Sequence, residues 1–212
     1  MIYILLGGPA TGKGTRSNML SKELKIPHIS TGDLLRKEAK NNEKLTYLMS
    51  QGGLISDDVV NDLLEKRINQ DDCKKGFILD GYPRAITQAY AINEMLEKLN
   101  LEITKVLELK VPRKLAFRRI LERKQCKNCK KTYGIDFPSK AGDKCEVCGG
   151  DLEVRSDDNE ETLTKRIDTF EDYTLPVINY YKEKGLLKTV DASKMPKRVE
   201  DILWLLLNQK KK

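Results

Sequence analysis

Residues 2–15 read IYILLGGPATGKGT. The apolar run at the start is bounded by glycines, which is typical of a buried parallel strand, and the residues after Gly14 follow a helical pattern to about Leu24. Between them, residues 7–13 satisfy the spacing Gly, four residues, Gly-Lys of a phosphate-binding loop. In such loops, backbone N–H groups and the helix start face the phosphates, and the lysine reaches the terminal ones. The sequence therefore predicts a nucleoside triphosphate site.

Further apolar segments predict the rest of a parallel sheet. Three of them, residues 77–80, 105–109 and 187–190, each follow a helical pattern. A fourth, short segment surrounds Ile29. Strands that alternate with helices at this spacing indicate an α/β fold of three layers around a central parallel sheet. A helix around residues 199–207, which contains Trp204, is expected to cover the core.

Two stretches depart from this alternation. Residues 30–55 show only helical patterns, and residues 122–158 are rich in Cys, Gly and Lys. We expect both to be inserts, the first helical and the second a flap or lid. The core domain would then consist of residues 1–29, 56–121 and 159–212.

Composition sets broad limits on the function. A chain of 212 residues suffices for one hydrophobic core with insertions. The 39 Lys and Arg residues exceed the 32 Asp and Glu residues, and the net charge of +7 attracts anions such as nucleotides, nucleic acid or acidic lipids. The apolar start is too short to span a bilayer and lacks the features of a secretion signal, so we expect a cytoplasmic protein.

A carboxylate at the end of a second strand would complete a phosphate-binding site. Asp80 ends the apolar segment 77–80, where it can organise Mg²⁺ or its water ligands, although a turn residue before Gly81 is the alternative. The chain contains no Asn-Lys-x-Asp segment, which disfavours a GTPase.

Four of the five cysteines form two Cys-x-x-Cys pairs. The pairs are Cys126 with Cys129 and Cys145 with Cys148, a spacing that predicts a structural Zn²⁺ site with four thiolate ligands. Redox cysteines or an iron site are the alternatives. Because lysines surround the pairs, the insert could read nucleic acid or could be a rigid flap over the phosphate loop. Cys73 lies outside the pattern.

The motifs in combination resemble the adenylate kinases of the nucleoside monophosphate kinase family. The resemblance rests on residues 7–15, 30–36 and 80–84 with Gln88, and on later arginines. Gly14 precedes Thr15, whereas generic phosphate loops place Ser or Thr directly after the lysine. The family implies transfer of the terminal phosphate of ATP to AMP, giving two ADP, with Mg²⁺, and a role in nucleotide homeostasis. The rivals are a kinase for UMP, CMP or GMP, and a zinc-ribbon ATPase that binds nucleic acid.

The resemblance also implies roles for individual residues. The ATP site would comprise Ala10, Thr11, Gly12, Lys13, Gly14, Thr15, Arg119, Arg123, Thr132, Tyr133 and Lys194. The AMP site would comprise Thr31, Arg36, Gly53, Leu54, Ile55, Gly81, Tyr82, Pro83, Arg84, Gln88, Arg155 and Arg166. The residues expected to act in catalysis are Lys13, Arg84, Arg119, Arg123, Arg155 and Arg166. We expect a monomer with ATP and AMP as substrates and without nucleic-acid or membrane partners.

Some of these residues have plainer alternatives. Each arginine could be a solvated helix residue, and Gln88 could be an exposed polar residue instead of a reader of adenine. Thr31 could cap a helix that begins near Gly32, and Asp157 and Asp158 are predicted to cap a helix that begins near Glu160. His28 is expected to pack or to form hydrogen bonds. Ala10 stands where the family usually has Gly, so its φ is expected to be negative.

Overall fold

The computed structural model describes residues 1–50, 55–155 and 157–194. The helix predicted around residues 199–207, with Trp204, lies outside these ranges, as do Gly53 and Leu54. The strands are β1 Ile2–Leu6, β2 His28–Ser30, β3 Phe77–Asp80, β4 Ile103–Lys110, β5 Lys124–Cys126, β6 Thr132–Tyr133, β7 Leu152–Glu153 and β8 Leu187–Asp191. The five predicted strands of the main sheet are therefore confirmed, each within two residues of its predicted position.

Helices connect the strands. They are α1 Lys13–Leu24, α2 Thr31–Ala39, α3 Glu43–Ser50, α4 Asp57–Ile68, α5 Ile86–Lys98, α6 Arg113–Leu121, α7 Glu160–Thr169 and α8 Leu175–Glu183, with a 3₁₀ turn at Asp71–Cys73 and a π-helical turn at Phe170–Thr174. In the described ranges, no helix combines the length and the apolar character needed to cross a bilayer.

The main sheet is parallel throughout and has the order β2-β3-β1-β4-β8. Side chains of β1 alternate between two apolar clusters: Ile2, Ile4 and Leu6 lie in one, and Tyr3 and Leu5 lie in the other. Because successive strand residues point to opposite faces, the two clusters lie on opposite sides of the sheet. The predicted α/β fold with three layers is confirmed.

The phosphate loop lies at the carboxyl edge of this sheet. It follows β1, the central strand, whose neighbours are β3 on one side and β4 on the other. Ligands of open α/β sheets bind at this edge, at the point where the strand order reverses. Gly7 begins the loop with φ 146°, and a Cβ there would lie 2.5 Å from the Leu109 carbonyl oxygen. Only glycine allows the loop to approach β4 so closely.

The two helix caps considered from the sequence belong to other residues. Ser30, not Thr31, caps α2, and its Oγ accepts a hydrogen bond of 3.3 Å from the Asp33 N–H. The cap of α7 is Asn159, whose Oδ1 lies 2.9 Å from the Thr162 nitrogen, and not Asp157 or Asp158. A cap must directly precede the first helical residue. The two aspartates lie too early in the chain for this role and pair with arginines instead.

A second, smaller sheet forms the cysteine-rich segment. It is antiparallel, with the order β6-β5-β7. Three buried residues, Cys126, Tyr133 and Cys145, form its apolar cluster, with Leu152 packed against them. So small a cluster contributes little hydrophobic stabilisation, as expected for a segment that depends on a metal ion.

Candidate active site

The phosphate loop forms a cradle for an anion at the start of α1. Gly12 precedes the helix in the left-handed conformation, with φ 79°, and no side chain caps the first N–H groups of α1. These groups are therefore available to a phosphate. The Lys13 Nζ donates hydrogen bonds to the carbonyl oxygens of Gly7 at 2.7 Å and Gly8 at 2.9 Å, which holds the ammonium inside the loop.

Ala10 has a left-handed conformation, so the expectation of a negative φ is wrong. Its φ is 58°. A left-handed alanine costs about 1–2 kcal/mol relative to a right-handed one. The methyl group of Ala10 packs against a small apolar cluster that includes Ile120 and Leu163, and this packing offsets part of the cost. Alanine thus gains a contact that glycine would lack.

Asp80 explains why a glycine follows Lys13. A Cβ on Gly14 would lie 3.3 Å from Asp80 Oδ2, closer than an ordinary van der Waals contact. The carboxylate at the end of β3 therefore reaches the start of α1, and its role near Mg²⁺ stays a prediction. The His28 ring supports it, since Nε2 lies 3.2 Å from Asp80 Oδ2 and Nδ1 lies 3.0 Å from Asn18 Oδ1. The predicted hydrogen-bonding role of His28 is confirmed.

A cavity beside the loop brings together most of the predicted acceptor residues. Its lining consists of Thr31, Gly32, Leu35, Arg36, Met49, Ile55, Val60, Gly81, Tyr82, Arg84, Gln88, Asp157 and Arg166. Apolar side chains provide a surface for a flat base, and the three arginines provide a surface for a phosphate. Pro83 and Arg155 are predicted members that do not line this cavity.

The arginines of the site repel one another. Burial lowers the pKa of Arg84 to about 10, and the positive charge of Arg166 acts in the same direction. Burial, with Arg123 and Arg36, likewise lowers the pKa of Arg155 to about 10. Such a concentration of buried positive charge is costly without a partner. It indicates a site for a multiply charged anion.

Aspartates balance this charge in the protein itself. The Arg123 Nε lies 2.6 Å from Asp158 Oδ2, and its Nη2 contacts the other oxygen of the same carboxylate. Arg166 Nη1 lies 3.1 Å from Asp157 Oδ2, and Arg36 pairs with Asp33. Burial acts to raise the pKa of Asp157, but Arg166, Arg36 and other arginines lower it below its usual value. The sequence did not predict these pairs.

Arg119 lies nearly buried at the centre of intrachain hydrogen bonds. Its Nε donates to Asp136 Oδ2 at 2.7 Å, and its Nη1 and Nη2 donate to the carbonyl oxygens of Ala192 at 3.0 Å and Ser193 at 2.9 Å. The next residue, Lys194, is exposed. Arg119 therefore joins the cysteine-rich segment to the end of β8, and its contact with a phosphate stays a prediction.

The amide of Gln88 is occupied by the protein. Gln88 is buried, its Oε1 accepts a 2.8 Å hydrogen bond from the Arg84 N–H, and its Nε2 donates to Asp57 Oδ1 at 2.7 Å. In this structure, Gln88 therefore holds the backbone at Arg84. Its predicted contact with a base stays a prediction.

The four predicted cysteines meet in one cluster. Their Sγ atoms lie within 4.8 Å of one another, and the distances from Cys126 to Cys148 and from Cys129 to Cys145 are both 3.5 Å. Ligands at 2.3 Å in a tetrahedron would be separated by about 3.8 Å. The cluster therefore fits a structural zinc ion with a closed shell. Cys73 lies apart from it, next to Arg67.

Tyr133, predicted to contact ATP, directs its hydroxyl to this cluster. The oxygen accepts a 3.0 Å hydrogen bond from the Glu146 N–H and lies 3.2 Å from Cys145 Sγ, at hydrogen-bond distance. The hydrogen bond between Tyr133 and Cys145 is the main cause that lowers the pKa of Cys145 to about 6. The thiolate is the form that binds zinc. Thr132, the other predicted ATP contact on β6, is exposed.

Comparisons with known proteins identify the family. A sequence profile described as "Adenylate kinase" matches residues 5–186. The chain is 46% identical over 193 residues to an adenylate kinase of Caldicellulosiruptor bescii, which covers 88% of this chain and 89% of the relative. It is 42% identical over 212 residues to one of Lachnoclostridium phytofermentans, at 97% and 98% coverage. This chain belongs to the adenylate kinase family. The activity of that family is phosphate transfer between ATP and AMP, and this chain is an ATP:AMP phosphotransferase.

A relative from an archaeon matches over a similar length. An adenylate kinase of Archaeoglobus fulgidus is 44% identical over 199 residues, which is 92% of either chain. The family profile spans the phosphate loop, the described acceptor residues and the cysteine cluster, because all of them lie within residues 5–186. The phosphate loop is the predicted donor side of this adenylate kinase, and the arginine-lined cavity is its predicted acceptor side.

ATP affinity should fall at alkaline pH because of Lys13. Burial is the main cause that lowers its pKa to about 8 in the ligand-free enzyme, and nearby arginines add to the effect. The charged form is the one predicted to bind the phosphates, so the dissociation constant for ATP should rise about ten-fold from about pH 7.5 to about pH 9. Titration calorimetry measures it. AMP is the control, since Arg84 stays charged over this range; a constant ATP affinity would contradict the role of Lys13.

The Tyr133→Phe substitution should weaken zinc binding in this adenylate kinase. Loss of a hydrogen bond to a metal ligand typically reduces affinity by about ten-fold or more. Competition with a chromophoric chelator measures the zinc dissociation constant without reference to activity. The matched control is Tyr47→Phe, because Tyr47 is 64% exposed on α3, away from the cysteines. Equal zinc affinity in Tyr133→Phe and the wild-type protein would show that the hydroxyl does not support the metal centre.

Proposed function

We propose that this adenylate kinase transfers the phosphate directly between MgATP at the phosphate loop and AMP at the arginine-lined cavity, and that it works as a cytoplasmic monomer that maintains the balance of adenine nucleotides. The observation that carries this proposal is the proximity of the two sides of the site. After burial, the positive charges of Arg84 and Arg166 on the acceptor side, and that of Arg123, help to lower the pKa of Lys13 on the donor side. A phosphate transferred in line would pass between these groups.

The chemistry asks for positioning and charge neutralisation, not for a general base. Lys13 would bind the terminal phosphate of ATP, and Arg84 and Arg166 would hold the phosphate of AMP opposite to it. Arg123 would stabilise the charge that spreads over the transferring group. Guanidinium groups suit this task because they donate two parallel hydrogen bonds to phosphate oxygens.

Mg²⁺, when bound with ATP, would neutralise charge on the terminal phosphates. The residues fit such an ion, because Asp80 directs a carboxylate to the start of α1, and carboxylates and water are its preferred ligands. We also propose that residues 122–158 form a lid that excludes water, that 30–55 form the acceptor insert, and that the remainder is the core.

The remaining site residues are part of the same proposal. The donor side would comprise Ala10, Thr11, Gly12, Lys13, Gly14, Thr15, Arg119, Arg123, Thr132, Tyr133 and Lys194. The acceptor side would comprise Thr31, Arg36, Gly53, Leu54, Ile55, Gly81, Tyr82, Pro83, Arg84, Gln88, Arg155 and Arg166. For Tyr133 we propose a contact through its backbone, since its hydroxyl is bonded at the cysteine cluster.

A coupled assay of ADP formation with AMP, UMP, CMP and GMP as acceptors tests the proposal. AMP should be the preferred acceptor, and Arg84→Ala should lower kcat/KM for AMP by about a hundred-fold or more, because it removes a charged donor from the transition state. Arg118→Ala is the matched control: Arg118 is 68% exposed and pairs with Glu122 on the surface, so its loss should change the rate less than about two-fold. A higher kcat/KM for another monophosphate, or full activity of Arg84→Ala, would refute the proposal.

A further inference from the structure

The junction between α7 and α8 is a π-helical turn at Phe170–Thr174. The Leu175 N–H donates to the Phe170 carbonyl oxygen, five residues earlier. The sequence reason is Pro176, which stands in the first turn of α8. Proline has no N–H, and its ring would collide with the carbonyl group four residues earlier in a continuous α-helix. The extra residue of the π turn removes this conflict, and such turns recur at functional sites.

The two ends of the turn contact the two sides of the active site. The Phe170 ring lies against the phosphate loop, since a Cβ on Gly8 would be 3.7 Å from it. Thr174 is buried, and its Oγ1 donates a 3.0 Å hydrogen bond to the Arg84 carbonyl oxygen. The same turn therefore contacts both the phosphate loop and the backbone of Arg84.

Side chains determine the position of the Arg84 backbone. Arg84 belongs to neither a helix nor a strand. Its N–H donates to Gln88 Oε1 at 2.8 Å, and its carbonyl oxygen accepts from Thr174. The guanidinium Nε donates to the Gly81 carbonyl oxygen at 2.9 Å, and Thr31 Oγ1 donates to the same oxygen at 3.2 Å. If Thr174 lost its hydroxyl, the carbonyl group of Arg84 would lose this donor.

The placement of Arg84 needs this support because neighbouring charges repel its guanidinium. Arg166 and Arg36 line the same cavity and carry the same charge. A flexible loop would let the guanidinium move away from them, and an error of about 1 Å in the position of a group that binds the substrate can cost two orders of magnitude in rate. A buried hydrogen bond at the backbone limits such movement without adding charge.

We propose that Thr174 is a positioning residue for the acceptor phosphate: its hydroxyl fixes the Arg84 backbone so that the guanidinium meets the phosphate of AMP. This inference rests on the proposed function, in which Arg84 binds that phosphate. Thr174 itself does not touch the substrate, so its effect should appear on AMP and not on ATP.

The test compares Thr174→Val, which keeps the shape and removes the hydroxyl, with Thr174→Ser, which keeps the hydroxyl. Thr174→Val should raise KM and the dissociation constant for AMP about ten-fold, the usual effect of one buried hydrogen bond. KM for ATP should stay within about two-fold, and Thr174→Ser should restore AMP affinity nearly to the wild-type value. If Thr174→Val does not fold, Thr174→Cys, with its weak donor, takes its place with the same expectation.

Unchanged AMP affinity in Thr174→Val would overturn the inference. Equal losses of affinity for AMP and for ATP, together with a lower Tm, would also overturn it, because that pattern indicates a role in stability alone. In both cases the wild-type enzyme would still convert AMP, and the proposed function would stand. A wild-type protein that does not convert AMP would instead refute the proposed function and this inference with it.

Discussion

Repulsion between arginine side chains is the constraint on which the site depends. Arg36, Arg84 and Arg166 line one cavity, and Arg123 and Arg155 act on the same region. The chain tolerates this charge because aspartates pair with three of them, Arg36, Arg123 and Arg166. These carboxylates keep the positively charged side chains together in the ligand-free site, and we expect the phosphates of the substrates to pair with the same arginines.

The cysteine-rich segment also helps to hold these arginines in place. Arg123 directly precedes β5, and Arg155 follows β7 by two residues, so the two ends of the small sheet each present an arginine. A segment with so small an apolar cluster could not hold these side chains firmly by packing alone. Four thiolates around one metal ion would make it rigid. The metal would thus act on catalysis through geometry and would not touch the reacting atoms.

Local spacing was enough to predict the strand, loop and helix at residues 2–24 and the cysteine cluster, because each motif fixes its own geometry over a few residues. The pairs of charges were not predictable in this way. Arg123 and Asp158 are 35 residues apart, and only the folded chain brings them together. The left-handed Ala10 depends on a contact with α6 and α7, which no local pattern reveals. The bond from Thr174 to Arg84 spans 90 residues and could not be predicted either.

Arginines at the proposed acceptor site should recognise the phosphate of AMP and contribute most of the binding free energy. Titration calorimetry of AMP and of adenosine, with the zinc-loaded protein and no ATP, tests this most directly. Two or more charge-assisted hydrogen bonds should make AMP bind at least about a hundred-fold more tightly than adenosine. If adenosine instead binds within about three-fold of AMP, the arginines do not hold the phosphate.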